Sequence, residues 1–242
     1  HLEYYTYTMT EPGMPIGYYY GFKTNGVFQT KKEIEDYRNN GRQVMPSAKP
    51  GDLKFVDLNR DGKLDDNDRA MVGNPHPDFI FGFTLSAEYK GFDFSAFFQG
   101  SVGNDILNIL KYDIYSGTGW YNAPKNILST FWNGPGSTNK NFGIDADTRM
   151  NLEMSDWYVE NGSYIRLKAL QLGYTIPRSF TSKFTINNLR VFVTAQNLFT
   201  ITGYSGLDPE IGEFRTEPMY TGIDMGFYPQ SKIFSFGISL KL

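Results

Sequence analysis

From Phe79 onward, apolar and polar residues alternate with a period of two, the spacing of strands whose two faces meet different surroundings. In DFIFGFTLSAEYK, Phe79, Phe81, Phe83, Leu85, Ala87 and Tyr89 make one face, and Gly82, Thr84, Ser86, Glu88 and Lys90 make the other. The chain turns at Lys90-Gly91, and the pattern resumes with Phe92, Phe94, Ala96 and Phe98 against Asp93, Ser95 and Gln99. That predicts a hairpin of two long strands joined by a very short turn. In SYIRLKALQLGYTIP the apolar positions are odd through Ile165, Leu167 and Ala169, then even through Leu170, Leu172, Tyr174 and Ile176. A one-residue insertion near Ala169-Leu170, a β-bulge, accounts for the change of phase. Further strands are read at LRVFVTAQNLF and at the closing SKIFSFGISLKL, whose Phe234, Phe236, Ile238, Leu240 and Leu242 share a face. Alternation also runs through HLEYYTYTMT, with Tyr5, Tyr7 and Met9 on one side, and through GYYYGFKTNG, with Ile16, Tyr18, Tyr20 and Phe22 together.

Helical signals are few. Thr30 and Glu33 have capping-box spacing at the start of KKEIEDYRNNG, a helix that Gly41 would end. NDILNILKYDIY after Asn104 and APKNILSTFW after Asn122 are the other candidates. Between strands lie long loops rich in Gly, Asn, Ser and Pro, over 101–162 and 203–230. Short turns on one side and long loops on the other are the pattern of an outer-membrane β-barrel. A soluble β-sandwich also alternates. Apolar faces of five or six positions, about enough to cross a bilayer at barrel tilt, and small polar opposite faces favour the barrel.

Composition narrows the function classes. The 242 residues hold 20 Phe, 17 Tyr and 3 Trp, 17% aromatic, which is high for a soluble domain. A net charge of -3 and the lack of any basic run exclude nucleic acid as a partner. With no cysteine, disulfide scaffolds and thiolate metal sites are excluded. No window approaches the ~18 apolar residues of a membrane helix, and the N-terminus lacks the charged and apolar regions of a signal peptide.

One acid-rich stretch carries chemistry. In DLNRDGKLDDND, Asp57 stands at position 1 of a twelve-position loop, Asn59 at 3, Asp61 at 5, Gly62 at 6, Lys63 at 7, Asp65 at 9 and Asp68 at 12. Calcium loops of EF-hand type place oxygen ligands at 1, 3, 5, 9 and 12, a backbone carbonyl at 7 and glycine at 6, where the chain turns sharply. Asp68 replaces the usual glutamate with a shorter carboxylate. Leu53-Lys54-Phe55-Val56 ahead of the loop reads as strand, so the expectation is a structural Ca²⁺ clip on a surface loop, not a helix-flanked sensor.

No catalytic constellation is present. The two histidines are His1 and His76, the latter a turn residue in NPHPD, and no nucleophile or phosphate-cradling motif occurs. The acidic pairs Asp65-Asp66 and Asp145/Asp147 read as solvated loop residues. Trp120, Tyr121, Trp132, Trp157 and Tyr158, in or beside the long loops, are packing residues or an interfacial girdle, or else a platform for stacking sugar rings. An enzyme is not expected. Besides a membrane barrel, the composition allows a soluble extracellular calcium-dependent carbohydrate-binding β-module that uses those aromatics.

Taken together, PIGYYYGFKTNGVFQ, GDLKFVDLNRDGKLDDNDRAMVGNPHPDFIFGFTLSAEYKGFDFSAFFQGSVGNDILN, WYVENGSYIRLKALQLGYTIP, LRVFVTAQNLFTITGYSGLDPE and PQSKIFSFGISLKL resemble one family. It is the SusC/RagA-type TonB-dependent outer-membrane transporters of Bacteroidetes. The resemblance implies that residues 1–242 are an all-β, C-terminal portion of a large transmembrane barrel, about seven antiparallel strands with long extracellular loops and a few short helices. Such transporters import oligosaccharides, in some members peptides, under a SusD-type surface lipoprotein lid. TonB energises them through a plug N-terminal to this segment. The calcium-type loop belongs to the pattern, so Asp57, Asn59, Asp61, Lys63 through its carbonyl, Asp65 and Asp68 carry over as ligands. One departure is the final residue, Leu242, where such barrels commonly end in an aromatic. Seven strands cannot close such a barrel, and an open edge facing lipid leaves backbone groups unpaired at a cost of several kcal/mol each. The remaining strands of the same barrel, and outer-membrane lipid, are therefore expected partners.

Overall fold

The computed structural model describes residues 7–115, 122–143, 149–184, 186–212 and 218–241. The chain divides into two compact units, one of residues 1–76, 105–160 and 211–226, the other of 77–104, 161–210 and 227–242.

The second unit is an antiparallel sheet of six strands, in the order Ile233–Lys241, Asn188–Gln196, Tyr164–Thr175, Phe92–Val102, Phe79–Tyr89, with Thr200–Thr202 also paired to Tyr164–Thr175. Lys90 and Gly91, both at positive φ (46° and 85°), form the expected two-residue turn, which brings Tyr89 opposite Phe92. The phase change in SYIRLKALQLGYTIP is a register shift between Leu167 and Ala169, which leaves Lys168 as the extra residue. Beyond it, one apolar face continues strand to strand: Leu85 opposite Ala96, Ala96 opposite Leu170, Leu170 opposite Ala195, Ala195 opposite Phe234. All long excursions leave the sheet at the end of Phe79, Val102, Tyr164 and Ile233. At the other end, the links are Lys90-Gly91 and residues 176–187.

The first unit has two apolar cores. One gathers Phe22, Val27, Phe28, Ile34, Leu53 and Phe55 with Phe131 and Phe142. The other gathers Tyr7, Tyr19, Leu107, Met154, Tyr158 and Ile223. Its strands are short, and they include the expected Leu53–Phe55, paired with Thr24–Val27. This unit contains most departures from the simple alternation. Tyr18 and Tyr19 are both buried, because Tyr18–Phe22 lies inside a core instead of between two environments. Thr30 caps a helix as expected, accepting from the Glu33 N–H at 3.2 Å, but the helix covers only Lys31–Asp36. Asn40-Gly41 then turns a hairpin of Arg38–Asn39 and Arg42–Gln43, so Gly41 is a hairpin glycine and not a helix stop. NDILNILKYDIY splits into a strand, Asp105–Asn108, and a helix, Leu110–Tyr115, because Ile106 and Leu107 are needed in the core. The last candidate helix shortens to Ile127–Thr130. Asp105–Asn108 pairs in parallel with Ile223–Asp224, an exception to the antiparallel pattern.

Candidate calcium loop and membrane-facing sheet

Residues 57–68 form a closed loop that follows Leu53–Phe55. Its ends are deeply placed: Asp57 is 4% exposed and Asp68 fully buried. Asp68 Oδ1 accepts from the backbone N–H groups of Leu58 (2.8 Å) and Asn59 (3.4 Å), and its Oδ2 accepts from Asp65 (3.0 Å), which ties position 12 to positions 2, 3 and 9. Asn59 Oδ1 accepts from the Asp61 N–H, and Asp61 Oδ1 from the Lys63 N–H, so the side chains at 3 and 5 curl the chain around one centre. Gly62 holds φ at +83°, and a side chain there would strike the Asn39 carbonyl and sit 2.7 Å from Arg42 Cβ. Only glycine fits.

Asp57 Oδ2 accepts from Asn39 Nδ2 and from the Gly62 N–H, both at 2.9 Å, whereas Oδ1 is buried without a partner. Burial pushes the Asp57 carboxyl up, but the Asn39 and Gly62 donors on Oδ2, with the backbone N–H groups of Arg60 and Asp61 nearby, outweigh it and hold it below its ordinary value. Among the described residues neither Asp57 nor Asp68 has an ion-pair partner. Two buried carboxylates without a cation, one with an orphaned oxygen, fit a bound cation. Among the described residues, however, no group of three or more His, Cys, Asp or Glu side chains gathers tightly enough to be a ready-made cage. The fit is that of a loop with its hinge glycine and closing contacts in place and one oxygen of Asp57 unpartnered, while its other carboxylates are turned to backbone donors.

The two edge strands, Phe79–Tyr89 and Ile233–Lys241, are exposed on both faces along nearly their whole length, and the inner strands are mostly half-buried. A β-sandwich buries one face of each sheet; this sheet does not. Its apolar side presents Phe83, Leu85, Phe92, Leu172, Val191, Phe234, Ile238 and Leu240 outward, with Phe236 85% exposed. Such a continuous apolar surface is unstable in water and suits lipid. On the polar side, Asp93 and Arg190 form the charged pair.

A second set of charges, unanticipated from the sequence, sits at the bulge. Arg166 donates to Thr200 Oγ1 (2.7 Å), Glu210 Oε2 (2.7 Å) and Asp208 Oδ1 (2.5 Å), while Lys168 Nζ donates to both Glu210 oxygens. Asp208 Oδ2 accepts from the Gln230 N–H at 3.0 Å, which joins the two arms of the 203–230 excursion. Trp132 is half-buried, packs over Gly51 and donates its indole N–H to Gln29 Oε1 at 3.1 Å, in the manner of a packing residue. His76 accepts the expected turn role, its N–H bonded to Asn74 Oδ1 and its ring Nε2 2.7 Å from the Ile16 carbonyl oxygen. Trp120, Tyr121, Tyr5, Asp145, Asp147 and Leu242 lie outside the described residues.

A sheet with one lipid-suited face and one polar face, short turns at one end and long excursions at the other, is the wall of an outer-membrane β-barrel. No family model matches the chain. Known proteins do. The TonB-dependent receptor P3 of Formosa agariphila is 34% identical over 234 residues, 95% of this chain and 22% of that protein. The TonB-dependent receptor SusC of Bacteroides thetaiotaomicron is 29% identical over 204 residues, 81% of this chain and 18% of SusC. Among solved structures, the RagAB peptide importer in its open-open state superposes with a TM-score of 0.73 at 24% identity, covering 100% of this chain and 24% of that one. The RagAB peptide transporter matches with a TM-score of 0.69 at 25% identity over 99% of this chain. The chain belongs to the SusC/RagA-type TonB-dependent receptors, a family of the Gram-negative outer membrane, and spans about a fifth of the length of these receptors.

Proposed function

We propose that this chain is the C-terminal part of the barrel of an active transporter that imports oligosaccharides or peptides. Energy comes from TonB through a plug elsewhere in the polypeptide, and a SusD-type surface lipoprotein acts as the lid. The observation that carries the reading is the exposed apolar face from Phe83 to Phe236, which needs lipid on one side, together with a polar face suited to a solvated lumen. Similarity to the RagAB peptide importer supports the peptide class; the oligosaccharide class and the lipoprotein lid are what the resemblance to the SusC/RagA-type family implies. No chemistry is assigned to the chain; it is wall and loop, not an enzyme. In the same reading, the 57–68 loop binds a structural Ca²⁺ through Asp57, Asn59, Asp61, the Lys63 carbonyl, Asp65 and Asp68, which stabilises the folded loop by mass action.

The test is uptake by cells carrying the full-length receptor. Oligosaccharides or peptides should disappear from the medium only when TonB and the proposed SusD-type lipoprotein are both present. Uptake that persists without TonB contradicts the proposal.

A further inference from the structure

The 57–68 loop does not stand alone: the Arg38–Gln43 hairpin is built against it at three places. Asn39 Nδ2 donates to Asp57 Oδ2 at 2.9 Å. The Tyr37 hydroxyl, at the base of the hairpin, donates to the Phe55 carbonyl at 2.8 Å and accepts from the Asp57 N–H at 3.2 Å. Gly62, the hinge of the loop, lies so close to the Asn39 carbonyl and Arg42 that no side chain is tolerated there. Asn40 and Gly41, at φ 47° and 73°, turn the hairpin tightly enough to hold Asn39 in this position.

The consequence falls on one oxygen. Asn39 and the Gly62 N–H occupy Asp57 Oδ2 with two donors, leaving Oδ1 buried and unpartnered. A carboxylate held by one oxygen presents the other in a fixed direction, as outer partners do for metal ligands. We propose that the hairpin is part of the calcium site and that Asn39 is its positioning residue, fixing Asp57 so that Oδ1 alone faces the ion. The inference rests on the calcium reading of the loop.

The experiment uses the full-length receptor, purified in detergent, with CaCl₂ titrated calorimetrically and thermal unfolding recorded in EDTA and in calcium. Loss of an outer partner typically weakens metal affinity about 10- to 100-fold. Asn39→Ala should therefore weaken calcium binding at least ~10-fold while the variant still unfolds in one cooperative transition in EDTA. Asn39→Leu, of nearly the same shape but unable to donate, should also weaken binding and guards against collapse of the site in the alanine variant. Wild-type affinity in either folded variant overturns the positioning role and leaves the calcium reading intact. A fall in the EDTA unfolding temperature with no change in affinity also overturns it, since Asn39 then serves the fold alone. Absence of calcium binding by the wild type overturns the calcium reading itself.

Discussion

Asp93 and Arg190 pair across a strand that belongs to neither of them. Arg190 Nε and Nη2 reach the two Asp93 oxygens at 2.8 and 2.5 Å over Gly173, the residue directly opposite Asp93 on the intervening strand. A side chain at 173 would run into both the carboxylate and the guanidinium. Three strands are thereby fastened on the polar face at a place where the backbone is bare. Gly173→Ala is expected to separate the pair, at the small cost of a partly exposed ion pair. The check is the unfolding temperature of the full-length receptor, which should fall for Gly173→Ala and much less for Gly203→Ala, where no atom lies near the new methyl group.

Removing Arg166 should be more damaging than removing a surface arginine. Arg166 is 3% exposed and Asp208 5%, so Arg166→Ala leaves a buried carboxylate without its cation, a change that typically costs about 3–5 kcal/mol. Lysine cannot replace it, because the guanidinium serves Thr200, Asp208 and Glu210 at once. Protease nicking within 203–230 should rise sharply in Arg166→Ala and in Arg166→Lys.

The same contacts fix a pH response. Burial pushes the Asp208 carboxyl up, but the Gln230 N–H, the Arg166 guanidinium and the Glu210 N–H outweigh it and hold it below its ordinary value. A carboxyl lowered in the folded state stabilises the fold above the unfolded value, about 3.9 for aspartate, and loses that contribution as pH falls through the lower folded value. Nicking within 203–230 should therefore be unchanged between about pH 8 and 5 and increase only below about pH 4. Asp208→Asn should remove the acid dependence.

For the acidic loop, the double substitution Asp57→Ala with Asp61→Ala should abolish calcium-dependent stabilisation. At free calcium one hundred times the dissociation constant, the wild type gains about 2.7 kcal/mol. Differential scanning of the full-length receptor with and without EDTA reads the difference; an unchanged wild-type transition on adding calcium refutes the site.

Much of the sheet was legible in the sequence because period two survives wherever a strand separates two environments. Phe79 to Gln99 and Phe234 to Leu240 follow it through, and the change of phase at Ala169-Leu170 located the bulge to within two residues of Lys168. The same rule failed at Tyr18-Tyr19, where both sides are interior, and so the first unit and its two cores were not foreseen. Asn40-Gly41 is a strong hairpin signal, and it outweighs the capping-box reading that carries the Thr30–Glu33 helix on to Gly41. In the loop, sequence spacing named the candidate ligands and located the hinge glycine, but Asn39 lies 18 residues from Asp57, and only the fold brings them together. Arg166 and Asp208, 42 residues apart, were invisible for the same reason.

The account stands on the claim that the Phe83–Phe236 face meets lipid and the opposite face meets water. This segment contains no cysteine, which allows single cysteines to be placed at Phe236 and at its neighbour Ser235 in the full-length receptor, in outer membranes. A spin label at each, read for relaxation by oxygen and by a water-soluble nickel chelate, measures which side is which. Oxygen should dominate at 236 and the nickel chelate at 235. Equal access of the chelate to both positions would contradict the assignment of this sheet to a membrane wall.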